Sequence, residues 1–193
     1  MNRRQFLNHS AAAGVAALAL PRVSSANAAQ QDVSAQWNRL GWAPGNLAAM
    51  HEAVEQEALG TVGQVQLEAR AKGEQAAESA LQAGLAAAFL LTGVKPVRCW
   101  RYGSPGDGAY QLVVAETAER MRIVVRVNAP GKLFPCQISG DKGRATLQGL
   151  GEARLADAQD RPVKTLAAVA VSQQALGTVT EAARTALAQA HCM

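Results

Sequence analysis

Residues 120–128, Arg120-Met121-Arg122-Ile123-Val124-Val125-Arg126-Val127-Asn128, change character at almost every step. In an extended chain Met121, Ile123, Val125 and Val127 face one way, and Arg120, Arg122, Val124 and Arg126 face the other. One apolar and one wet face at a period of two is the habit of a strand in an antiparallel sheet. Turn residues bracket it, Ser104-Pro105-Gly106-Asp107-Gly108 before and Asn128-Ala129-Pro130-Gly131 after, because Gly, Pro, Asn and Asp supply the dihedrals that reverse a chain. Working outward, strands are predicted at Val97–Tyr102, Ala109–Glu116 and Leu133–Ser139, a fifth near Arg144–Gln148 and a sixth near Val163–Val171.

Ahead of this meander the period lengthens. Asn46 is placed to cap a helix through Leu59, with Leu47, Met50, Val54 and Ala58 on one stripe and Gly60 as its stop. The run Ala58-Leu59-Gly60-Thr61-Val62 recurs as Ala175-Leu176-Gly177-Thr178-Val179, and each threonine is followed three residues later by Gln64 or Glu181. Val65-Gln66-Leu67-Glu68-Ala69 alternates like a strand, but the threonine spacing is a capping box, so helices are predicted over Val62–Leu91, with an interruption near Gly73, and over Val179–His191. Ala80–Leu91 is too short to cross a bilayer and reads as a buried core helix. Residues 29–45 read as an extended lead-in carrying Trp37 and Trp42. The expected class is α+β: N-terminal helices, an antiparallel meander of four to six strands and a C-terminal helix, in one domain over residues 46–193.

The first 28 residues read differently. Arg3-Arg4 precedes Phe6-Leu7, an apolar run fills Ala11–Leu20, and Ala26-Asn27-Ala28-Ala29 offers a cleavage site. These are the three parts of a secretory signal. The Arg3-Arg4-Gln5-Phe6-Leu7 stretch resembles the twin-arginine (Tat) signal motif, with Asn2 and Asn8 departing from its usual flanks. The resemblance covers the leader alone. It implies export by the Tat machinery, trimming by signal peptidase at Ala26, Ala28 and Ala29, and a periplasmic address with no stable membrane anchor after cleavage.

Loss of Arg3, Arg4 and Arg22 with the leader leaves 16 basic against 15 acidic residues, so net charge gives no ground for nucleic-acid binding. The charge is segregated: residues 31–93 carry seven acids and three bases, residues 94–145 nine bases and four acids. Within the basic part Arg98, Arg101, Arg122 and Arg126 fall on neighbouring strands, a candidate face for an anion or an acidic partner. Trp100 and Tyr102 share a strand face there.

Met50-His51 and the terminal His191-Cys192-Met193 bring thioether, imidazole and thiol together, a donor set suited to copper. His51-Glu52-Ala53-Val54-Glu55 lacks the second histidine of the zinc-protease helix. Cys99, Cys136 and Cys192 are disulfide candidates; Cys99 and Cys136 sit three strand spacings apart in a simple meander, beyond bridging distance. No Gly-x-Ser-x-Gly elbow, Gly-x-Gly-x-x-Gly turn, phosphate loop or Cys-x-x-Cys pair occurs. The expectation is a non-catalytic accessory or binding protein, co-exported with or assisting a partner enzyme. Two alternatives stand beside it: a copper-delivery protein, and a motif-poor enzyme with a pocket on the sheet.

Overall fold

The computed structural model describes residues 33–103, 110–130, 135–147 and 151–192. The leader, with Arg3, Arg4, Phe6, Leu7 and its alanine cleavage site, lies outside the described residues, as does Met193. Four helices, α1 (33–39), α2 (Pro44–Glu55), α3 (Glu74–Thr92) and α4 (Gln173–Ala188), accompany nine strands. The strands are β1 (Val62–Ala69), β2 (Pro96–Tyr102), β3 (Gln111–Thr117), β4 (Arg122–Val127), β5 (Cys136–Gly140), β6 (Gly143–Leu147), β7 (Ala153–Asp157), β8 (Pro162–Leu166) and β9 (His191–Cys192). They form one sheet in the order β8-β7-β6-β5-β1-β4-β3-β2-β9. All neighbours are antiparallel except β1 with β4 and β2 with β9. The mixed helix–sheet class is as expected, but the sheet is larger than a small meander.

The strand predicted around Arg122–Val127 is there, and its apolar side, Ile123, Val125 and Val127, is buried beneath the helices. α3 packs on β1, β3 and β4 and between α2 and α4. Its surface is mostly alanine, leucine and phenylalanine, buried nearly all round from Ala77 to Leu91, which is the pattern of a core helix. Among the described residues no helix is long and apolar enough to cross a membrane. Gly84 lets α3 approach the sheet: a Cβ there would overlap Val125 Cγ1 and stand 3.0 Å from Trp42 Cη2.

Several expectations need correction. The helix predicted over Val62–Leu91 is strand β1 followed by helix α3, separated by Gly73 at φ 87°. The alternation of Val65, Leu67 and Ala69, all buried, was the true signal. The repeated pentapeptide has two structures. Thr61 donates its N–H to Asp141 Oδ1 at the entrance to β1, whereas Thr178 lies inside α4 with its hydroxyl donating to Gln174 O. α4 is capped by Ser172, whose side chain accepts from Ala175 N, and it ends at Ala188 so that His191 joins β9. α2 starts at Pro44, which lacks the N–H an N-terminal turn leaves unpaired; Asn46 lies within it and donates from Nδ2 to Gly151 O. α2 stops at Glu55, and Gly60 at φ 67° completes the turn into β1. The supposed extended lead-in includes α1, and Trp37 and Trp42 are buried, 1 % and 0 % exposed. Trp42 Nε1 donates to Pro135 O at 2.6 Å, which satisfies the indole in the core.

Candidate functional site

The helices lie on one side of the sheet, and the side chains on its other side align in rows, because paired residues point the same way. One row crosses six strands: Arg98, Glu116, Arg122, Gln64, Ser139 and Arg144. The next runs Trp100, Val114, Val124, Gln66, Gln137, Thr146 and on to Arg154. A third holds Tyr102, Leu112, Arg126 and Glu68. Over β2, β3 and β4 these rows form a shallow groove of about 550 Å³ whose floor is Val114, Val124 and Leu112 and whose walls include Trp100, Tyr102, Glu116 and Arg122.

The floor is apolar but shielded. Val124 is only 6 % exposed although it lies on the face turned away from the helices. At one end Glu68, 5 % exposed, accepts from Gln66 Nε2 at 2.8 Å and from Arg126 Nη1 at 3.1 Å. A buried carboxylate needs such donors, so this corner of the groove is fixed. At the other end Arg98, Glu116 and Arg122 are register neighbours, and among the described residues none of the three takes part in an ion pair.

Three of the four arginines named from the sequence, Arg98, Arg122 and Arg126, come together on this open face. Arg101 does not. It points to the helix side, where it pairs with Glu78 of α3 and donates to Gln111 Oε1 at 3.2 Å, as the parity of β2 requires. Trp100 and Tyr102 do share the open face. Gln64, Gln66 and Glu68 were missed because β1 was read as helix, and Arg144 and Arg154 because short strands leave little periodicity.

Among the described residues the copper set does not gather as a site; Met193 and the Cys192 side chain lie outside them. Met50 is fully buried, His51 bonds through Nδ1 to Leu91 O, and His191 lies on edge strand β9 opposite Trp100. Among the described residues no three His, Cys, Asp or Glu groups gather to hold a metal. Cys99 and Cys136 are free thiols, separated by four strand spacings rather than three because β1 inserts beside β5. Burial pushes the Cys99 thiol up to about 11 and the fully buried Cys136 thiol higher still, so neither has the character of a reactive cysteine. Cys192 pairs through its backbone with Arg101.

No protein-family model matches the chain, and no curated protein sequence matches it significantly. Solved structures do resemble it. An NAD-binding protein from Listeria innocua superposes with TM-score 0.50 at 12 % identity, over 82 % of this chain and 63 % of that one. The aldose–aldose oxidoreductase from Caulobacter crescentus, complexed with glycerol, gives 0.51 at 16 %, over 76 % and 52 %. The UDP-N-acetylglucosamine 3-dehydrogenase from Acidithiobacillus ferrooxidans gives 0.52 at 14 %, over 76 % and 60 %. This chain thus spans between half and two thirds of their lengths, and at these identities the likeness is one of fold. The neighbours named as oxidoreductases stand against the expectation of a non-catalytic accessory protein, which is corrected accordingly. That expectation rested on missing short motifs, and side chains that meet only across paired strands leave no short motif to find.

The turn from β1 into α3 does not fit the pyrophosphate of a dinucleotide. It reads Arg70-Ala71-Lys72-Gly73-Glu74, with one glycine and with an acid in the first turn of α3. Pyrophosphate needs close backbone approach and a helix N-terminus free of negative charge.

Proposed function

We propose that this chain is the substrate-holding domain of an oxidoreductase, and that the groove over β2, β3 and β4 takes a small hydroxylated, sugar-like molecule. The observation that carries this reading is the juxtaposition of an indole with planar polar side chains on one rigid sheet. Trp100 offers a flat surface for the C–H side of a sugar ring. Glu116 accepts hydrogen bonds from hydroxyl groups, while Arg122 and Gln64 donate to their oxygens and Gln64 also accepts. Strands hold such groups more rigidly than loops do. The chemistry supplied here is binding and orientation. Two structural neighbours are named for acting on an aldose and on an amino-sugar nucleotide, which supports a hydroxylated substrate class.

The test is a titration of the protein with D-glucose, N-acetylglucosamine and glucitol, read by intrinsic fluorescence and by NMR line broadening of the ligand. Trp37 and Trp42 are buried, so the response should come from half-buried Trp100 and vanish in Trp100→Phe. A response that survives in that variant, or none with any of the three, overturns the reading.

A further inference from the structure

The open face is electropositive along one line. Arg98, Arg122 and Arg144 share the first row, with Glu116, Gln64 and Ser139 between them. At ~4.8 Å per strand, Arg98 and Arg122 are about 10 Å apart and Arg122 and Arg144 about 14 Å. The next row includes exposed Arg154 before it reaches Thr165 on β8. Arg98 and Arg122 have no ion-pair partner among the described residues. Arg144 is bonded through Nε to Asp160 at 3.0 Å, but both groups are well exposed, 40 % and 62 %, and such surface pairs are weak and easily exchanged.

A single small sugar in the groove reaches Arg122 and leaves Arg98 and Arg144 unused. Resting on the reading of the groove as a sugar site, we propose that the full ligand is an acidic oligosaccharide lying across the strands. Its carboxylates sit on Arg98, Arg122 and Arg144, and its ring hydroxyls sit on Glu116, Gln64 and Ser139. The alternation of cationic and neutral polar side chains along the row matches a chain that bears both acid groups and hydroxyls. Guanidinium groups bind carboxylates by paired N–H donors, which gives orientation as well as attraction. Glu116 is the one opposing charge in the row: it favours hydroxyl groups and repels a carboxylate placed over it.

The experiment is isothermal titration of the protein with hexagalacturonate, with neutral maltohexaose and with single-stranded hexathymidylate at about 50 mM salt, where exposed charges are incompletely screened. Hexagalacturonate should bind at least about tenfold tighter than maltohexaose. Arg98→Gln, outside the groove, should weaken the acidic ligand about three- to tenfold and leave maltohexaose unchanged, whereas Arg122→Gln, which also loses a donor to neutral sugars, should weaken the acidic ligand more than it weakens maltohexaose. Glu116→Gln should tighten it, which no loss of folding can imitate. Equal affinity for the two sugars overturns the acidic ligand and leaves the groove reading standing. Binding of hexathymidylate as tight as hexagalacturonate shows indiscriminate anion capture and overturns it also, as does a Glu116→Gln variant that fails to tighten. Absence of binding by either sugar overturns both readings together.

Discussion

Gly84→Ala tests how the helix layer holds the strand that carries Arg122 and Arg126. On an unhindered helix this change would help, by about 0.8–1.0 kcal/mol. Here the new methyl overlaps Val125 Cγ1 and meets the Trp42 ring at 3.0 Å, and both neighbours are 0 % exposed, with no room to yield. Overpacking a filled core costs about 1–3 kcal/mol, so the expected net loss is about 1–2 kcal/mol. With a urea slope near 1.5 kcal/mol per molar, the unfolding midpoint falls by about 1 M. Fluorescence of Trp37 and Trp42 reports the transition. Val125→Ala alone should cost about 1–3 kcal/mol by removing buried methyl groups. Combined with Gly84→Ala it opens the space the new methyl needs, so the double variant should be about 1–2 kcal/mol more stable than the sum of the two losses predicts. A Gly84→Ala protein with an unchanged or raised midpoint, together with additive behaviour in the double variant, refutes the packing argument.

Trp42→Phe removes the indole donor to Pro135 O and part of a fully buried ring; a loss of about 2–4 kcal/mol in urea unfolding is expected, and a loss below about 1 kcal/mol would contradict it. With Cys192 replaced by serine, the folded protein should react slowly with a thiol reagent at about pH 8, because a thiol with a pKa near 11 is about a thousandth ionised there; fast labelling before unfolding contradicts the burial of Cys99 and Cys136. The Asp157 carboxyl is held below the ordinary carboxylate range, chiefly by the hydrogen bond from the Arg161 side chain. A carboxyl depressed in the fold contributes stability that is present above about pH 4 and is lost as pH falls through its folded value. Arg161→Gln should therefore move the Asp157 titration upward in carbon-detected NMR; an unmoved curve removes the pair as its cause.

The strand written at a period of two between clear turns was legible, whereas the same period in β1 was overridden. Arg122–Val127 was read with the correct inward and outward sides, and from it came the open-face placement of Arg122 and Arg126. What misled was the pentapeptide that occurs twice. Ala58–Val62 turns into a strand because Asp141 and the β5–β6 turn receive it, and Ala175–Val179 stays helical because Leu176 and Val179 are buried in α4. Tertiary partners decide between the two, and five residues do not contain them. The candidate site was half visible for the same reason. Arg98 and Arg122 declared themselves as charges on strands, but their alignment with Gln64, Ser139 and Arg144 depends on β1 lying between β4 and β5, a pairing between segments distant in the chain.

The placement of β1 also ties together parts of the sheet that are distant in the chain. β2, β3 and β4 are joined by short connections and can zip up among themselves, as can β5 to β8. β1 is made before either group, yet each of its edges must await a strand far ahead in the chain, β4 on one side and β5 on the other. Closing such distant pairs is entropically slow. The row from Arg98 to Arg144 is continuous only where β1 is paired on both edges, so whatever loosens β1 divides it in two.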